Sequence, residues 1–321
     1  MDMKAEKKID AENKRNTKQK LNMEQFAESI REWLEQQGQF EKVSLQKVLK
    51  NNGVVRCGLV LCRGEHNVVP TIYLESFFKA YQDGADIDEI VGEILEAYES
   101  APDEDADMSF FRDFSMVKDM LCMKLVNREA NAGLLTKIPY RDFLDMAVVY
   151  YVDCDNPQIV AGTIQVYNSH MEMWGVTEED LWEAASINTP ERKPGRIESM
   201  EDILAEMLAE QDNGDNEYPG SCMGKSPVTM LVITNTGRLY GDAVILYSGM
   251  LRQAADRAGS DLFILPSSLH EVIAVPAMER EDAADLKEIV MAVNRTHLQP
   301  EEVLSDNVYI YRRERDRLEI A

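Results

Sequence analysis

Metal motifs, a working phosphate loop and a membrane span are all missing from this 321-residue chain. Histidine is scarce: His66, His170, His270 and His297 are the full set. None stands in H-E-x-x-H, because His270-Glu271 lacks a second imidazole four residues after the first. The five cysteines, Cys57, Cys62, Cys122, Cys154 and Cys222, are odd in number, scattered, and form no C-x-x-C pair. That argues against a disulfide framework and a cysteine zinc site, and the thiols read as reduced core fillers. Cys62, Glu65 and His66 lie close together but lack further ligands, and Asp103 to Asp107 fails the calcium-loop spacing. No metal or cofactor is therefore expected. No stretch approaches the ~20 apolar residues that cross a bilayer. The longest apolar run, Met146 to Val152, is strand-sized, and the first twenty residues have no signal-peptide core. The expectation is a cytoplasmic protein without a membrane partner.

Positive charge is also in deficit. Lys and Arg number 34 against 58 Asp and Glu, for a net charge of −24. Such a field repels nucleic-acid backbones, so nucleic acid is not an expected partner, and it favours a basic protein partner. Carboxylates standing in rows would even let the surface mimic nucleic acid towards such a partner. Residues 1–21 are the exception, since the first twenty carry seven basic against four acidic side chains; they read as a disordered basic tail.

What is present is the patterning of an α+β protein. Met23, Phe26, Ala27, Ile30, Trp33 and Leu34 make one stripe of a helix over 22–37, stopped by Gly38. Residues 40–63 read as a hairpin around Lys50-Asn51-Asn52-Gly53, because Asn-Gly tolerates the positive φ of a tight turn. Helices follow at 71–82 and, capped by Asp86, through Tyr98. Residues 115–127 read as a further helix. Leu144 to Val152 suits a central strand, with a returning strand over 159–167. Thr177 caps a helix reaching Ser186, residues 188–196 form a polar connection, and Ser199 caps a short acidic helix. The last third orders strand 228–233, helix 241–258, strands 262–265 and 270–275, helix 281–294 and strand 308–312. That is the β-α-β-β-α-β order of a ferredoxin-like unit. The expected division is an N-terminal α+β part (22–195), an acidic helix and linker (196–227) and a C-terminal part (228–321).

Two strings invite a chemical reading. Gly220 to Ser226 (GSCMGKS) resembles a phosphate loop, but it has three residues between its glycines and precedes a strand, so it reads as a plain loop. Ser267, Ser268, His270 and Glu271 bring hydroxyls, an imidazole and a carboxylate to one turn. His270 and Glu271 point to opposite faces of a strand, so Glu271 cannot orient the ring. Serine hydroxyls at such a turn bond nearby backbone, no catalytic residue is assigned, and the four side chains are candidate contacts for a ligand or partner. Asp306 and Asn307, just before the last strand, read as turn residues and as contacts for a ligand or partner. Met171, Met173 and Trp174 are either core or an exposed patch.

The strings KNNGVVRCGLVL, VVPTIYLESFFKAYQDG, WGVTEEDLWEAASINT, GDAVILYSGMLRQAADRAGSDLFILPSSLHEVIAVP and VNRTHLQPEEVLSDNVYIY, in this order, resemble an uncharacterised bacterial family. It is the domain of unknown function fifty-six eighty-eight, and the likeness covers residues 40 to 312. The resemblance implies a cytoplasmic bacterial protein built as one unit, and it implies no activity or cofactor. The leading expectation is a non-enzymatic binding or protein-interaction module. The alternatives are a hydrolase-like enzyme at the Ser267/Ser268–His270 turn, and a small-molecule sensor with a cleft between the two halves.

Overall fold

The computed structural model describes residues 20–63, 70–100, 109–154, 162–203, 230–266, 268–277 and 282–321. Contacts divide the chain into a first compact unit within 1–50 and 55–106 and a second formed by 51–54 and 107–321. The expected division near residue 196 is not where the contacts break. Side chains from Phe111 to Ala185 share one core with side chains from Leu231 to Tyr311. The connection at 188–196 also shortens: helix continues to Arg192 with Pro190 inside it, and a strand starts at Gly195.

The first unit lays three helices on one face of a small sheet. Helix α1 (Met23–Gln37) starts with a reciprocal cap in which the Asn22 side chain accepts from Gln25 N–H, and it ends at Gly38, φ 63°. Strands β1 (Lys42–Leu49) and β2 (Val55–Cys62) form the expected antiparallel hairpin, Val43 opposite Leu61. Asn52 and Gly53 supply positive φ at its turn. The short β3 (Thr71–Tyr73) adds to β2, so the helix expected from 71 begins later, as α2 (Glu75–Asp83). Helix α3 (Ile87–Glu99) carries the expected Asp86 cap, bonded to Asp88 N–H. Phe26, Ile30 and Leu34 of α1 meet Ile90, Val91 and Ile94 of α3 over Val43, Leu59 and Leu61. Alternation puts those strand residues on one face.

In the second unit a short helix, α4 (Phe114–Val117), is followed by strand β4 (Leu121–Asn127) where a helix over 115–127 was expected. LCMKLVN has the length of a strand, and its apolar residues have a helical spacing as well; pairing to β6 (Met146–Cys154) decides. All nine residues of β6 are buried, as the unbroken apolar run predicts. Beyond β6 on its other side lie β5 (Tyr140–Phe143) and β7 (Gly162–Gln165), while α5 (Ala132–Leu135) covers Val126, Ala147 and Val149. β4 is an edge strand, and side chains take its outward N–H groups: Thr189 Oγ1 accepts from Met123 and Asp242 Oδ2 from Leu125.

Helices α6 (Asn168–Trp174) and α7 (Glu178–Arg192) lead to β8 (Gly195–Ser199). Six strands then form an antiparallel sheet ordered β13-β12-β10-β11-β9-β8. They include β9 (Leu231–Asn235), β10 (Leu262–Leu265), β11 (Glu271–Pro276), β12 (Tyr309–Arg312) and β13 (Arg317–Ile320). The β-α-β-β-α-β succession is present, with α8 (Met250–Ala258) and α9 (Ala283–Thr296) as its helices. The strands do not take the four-stranded ferredoxin-like arrangement: the sheet has six, with the β10–β11 hairpin at its centre and β8 and β13 at its edges. The helix expected over 241–258 is broken: a 3₁₀ segment (Gly241–Leu246) precedes α8, and Gly249, φ 77°, resets the chain between them. Ser199 caps helical backbone at 200–203 through Asp202 N–H, and the GSCMGKS loop lies outside the described residues.

Candidate functional site

The turn between β10 and β11 places its residues as backbone chemistry requires. Ser267 lies outside the described residues. Ser268 is buried; its hydroxyl accepts from His270 N–H at 3.0 Å, and its N–H donates to Glu271 O. The hydroxyl therefore serves the turn rather than the imidazole. Glu271 begins β11 opposite Thr234. The acid beside the His270 ring is Glu302, 4.0 Å from Nε2, and the ring stacks on Tyr240 at 6.3 Å.

Asp306 and Asn307 belong to a second network, which binds elements together. Ser305 Oγ accepts from Asn307 N–H and donates to Asp145 Oδ2 at 2.7 Å. Asn307 Nδ2 donates to that same oxygen, and Tyr309 OH donates to Asp145 Oδ1. Asn307 Oδ1 accepts from Lys287, and Asp306 Oδ1 from Asn294. Asp145, in the β5–β6 turn, thus collects three donors from one strand start. It also lines an open cavity of about 480 Å³ together with Arg128, Leu135, Thr136 and Tyr140.

A polar cluster around Tyr240 is the part that inspection of the sequence missed. Tyr240 and Arg238 hold left-handed backbone, φ 53° and 50°. Such conformations persist in bulky residues only where the surroundings fix them. Here Gly241 is pressed so closely that a Cβ would collide with His270 O and Thr234 Oγ1. Thr234 Oγ1 donates to His270 O, and Asn235 Nδ2 to Leu239 O, closing the loop. The Tyr240 ring packs on Tyr151 at 5.2 Å, and the Lys124 ammonium sits 4.1 Å from its centroid. Asp242 is fully buried: its N–H donates to Leu269 O and its Oδ2 accepts from Leu125 N–H. Burial pushes its carboxyl well above the usual range. Tyr151 OH, Asn235 Oδ1, Asp242 Oδ1 and His270 Nδ1 are buried without a partner among the described residues. One signal in the sequence pointed here, an aspartate opening the apolar run Gly241-Asp242-Ala243-Val244.

Around α6, Met171 and Trp174 pack on the core, Trp174 Nε1 donating to Phe111 O, while Met173 is exposed. His170 lies against Phe111 and Trp174, and burial lowers its pKa. Among the described residues no group of three or more His, Cys, Asp or Glu could hold a metal, and no helix is long and apolar enough to cross a membrane.

In the first unit, the outward stripe of α1 carries Glu24, Glu28, Glu32 and Glu35, all exposed. The outward side of α3 carries Glu89, Glu93, Glu96 and Glu99, also exposed. The two helices are neighbours, Trp33 Nε1 donating to Asp88 Oδ1 at 3.0 Å. Arg31 bridges Glu28 and Glu35, and Arg63 meets Glu99. Glu32, Glu89, Glu93 and Glu96 meet no cation within ion-pair distance among the described residues.

Residues 23–313 match the model of a family of unknown function. No curated protein and no solved structure matches the chain.

Proposed function

The chain belongs to that family of unknown function (DUF5688), and we propose that it is a non-enzymatic binding module of the bacterial cytoplasm whose first unit receives a basic protein partner. The observation that carries this reading is the acidic outer surface of the helical layer. Carboxylates spaced by four residues along α1 (Glu24, Glu28, Glu32) form a row, and α3 sets a second beside it. Four residues of helix advance by roughly 6 Å, so each row is a ladder of charge. Lysine and arginine side chains on a partner can follow it, and complementary fields speed and orient the encounter. The net charge of −24 adds long-range attraction. The hydrolase alternative needs a hydroxyl aimed at the His270 ring; the Ser268 oxygen accepts from backbone instead, and Ser267 lies outside the described residues. The sensor alternative places a cleft between parts that share one core.

The test is co-purification from cells of origin, with the wild type beside a Glu28→Gln/Glu32→Gln/Glu89→Gln/Glu93→Gln variant. A basic partner held by the wild type, released by salt and absent from the folded variant is the expected result. Equal recovery on both proteins overturns the reading.

A further inference from the structure

Lys124 projects from β4 half-buried, its ammonium 4.1 Å from the Tyr240 centroid and 5.8 Å from that of Tyr151. Ring faces, rather than an ion pair, hold it among the described residues. Around it stand buried polar groups without a partner among the described residues. Burial raises the pKa of the Tyr151 phenol, which keeps its proton at neutral pH, and raises that of the Asp242 carboxyl. Asp242 Oδ2 accepts from Leu125 N–H, and its Oδ1 has no partner among the described residues. Tyr151 OH and His270 Nδ1 have none either. An ammonium, a phenol and an imidazole together are rich in donors. What complements them is a compact acceptor with several lone pairs and a negative charge.

We propose that the second unit binds a small organic carboxylate at this cluster, with Lys124 and His270 as its first contacts and Tyr151 donating from behind. Tyr240 is the gate. Its half-exposed ring touches Lys124, Tyr151 and His270 alike, so its displacement opens the buried donors to the ligand. A monoanion fits better than a phosphate dianion, because one ammonium must offset the ligand's charge within a chain of −24. The site is separate from the acidic helices of the first unit and does not depend on their function.

Titration of the isotope-labelled full chain with sodium benzoate and sodium acetate, followed by amide NMR, tests this. Inorganic phosphate and sodium chloride at matched ionic strength are the controls. Saturable shifts at Leu125, Tyr240 and His270 with a carboxylate, and none with chloride, are expected. Lys124→Met keeps the aliphatic stem and should weaken binding at least about tenfold, the worth of one charge-assisted hydrogen bond. Lys124→Gln provides a second folded variant should the first fail. The four-Glu→Gln variant should bind the carboxylate like the wild type. The absence of saturable shifts, shifts that survive at equal affinity in both Lys124 variants, or saturation by phosphate alone would each overturn the proposal.

Discussion

At the scale of single residues, Asp242 has the sharpest consequences. Its folded pKa is raised, so its stabilising share is complete below the ordinary carboxylate value near pH ~4 and is lost as pH rises through the folded value. Asp242→Asn keeps an acceptor for Leu125 N–H and removes the titration. The variant should therefore gain stability relative to the wild type between pH 5 and pH 8, read from urea melts at both; a gap that does not change with pH refutes the assignment. Asp242→Ala should instead cost about 1–3 kcal/mol at pH 5, because Leu125 N–H is left buried without an acceptor. Gly241→Ala should cost about 3 kcal/mol, because the new methyl meets the His270 carbonyl, which cannot turn away, as well as Thr234 Oγ1. The sequence showed which residues formed the His270 turn, and why Glu271 could not serve its ring. It could not show Lys124 and Tyr151 meeting Tyr240, because that meeting depends on how separate strands pack.

Between the residue and the whole lie the joints that hold elements together. Asp145 accepts from Ser305, Asn307 and Tyr309, so Asp145→Ala orphans three donors at once. Its expected cost is about 3 kcal/mol or more in urea unfolding, and a loss near zero would show that the network contributes little. The neighbours of Asp306 made the turn legible, Ser305 and Asn307 being typical turn residues. Their shared partner, 160 residues from Ser305, was not legible. Amphipathic helices with caps, such as α1 and α3, were readable because cap and stripe are local. Strand β4 was not, because Leu121 to Asn127 satisfies both periodicities and the choice rests on β6. Edge strands β5, β8 and β13 are short and partly polar, and carry little pattern of their own.

For the molecule as a whole, charge and core tell different stories. A chain at −24 repels itself, so raising salt from about 0.01 M to about 1 M, which shortens the screening length from roughly 30 Å to 3 Å, should raise its melting temperature. A midpoint that does not move would mean that the ion pairs already balance the field locally. The composition made the net charge plain, whereas the division of the chain was hidden, because long-range contacts join residues 111–185 to 231–311 in one core. The outward N–H groups of β4 matter at this scale too. A bare edge strand is a template on which a second molecule can lay a strand of its own. Thr189 and Asp242, both buried, occupy those hydrogen-bonding positions, so replacing both should turn an edge that refuses company into one that seeds aggregates whenever local opening bares it, and rising light scattering on storage would be the first sign.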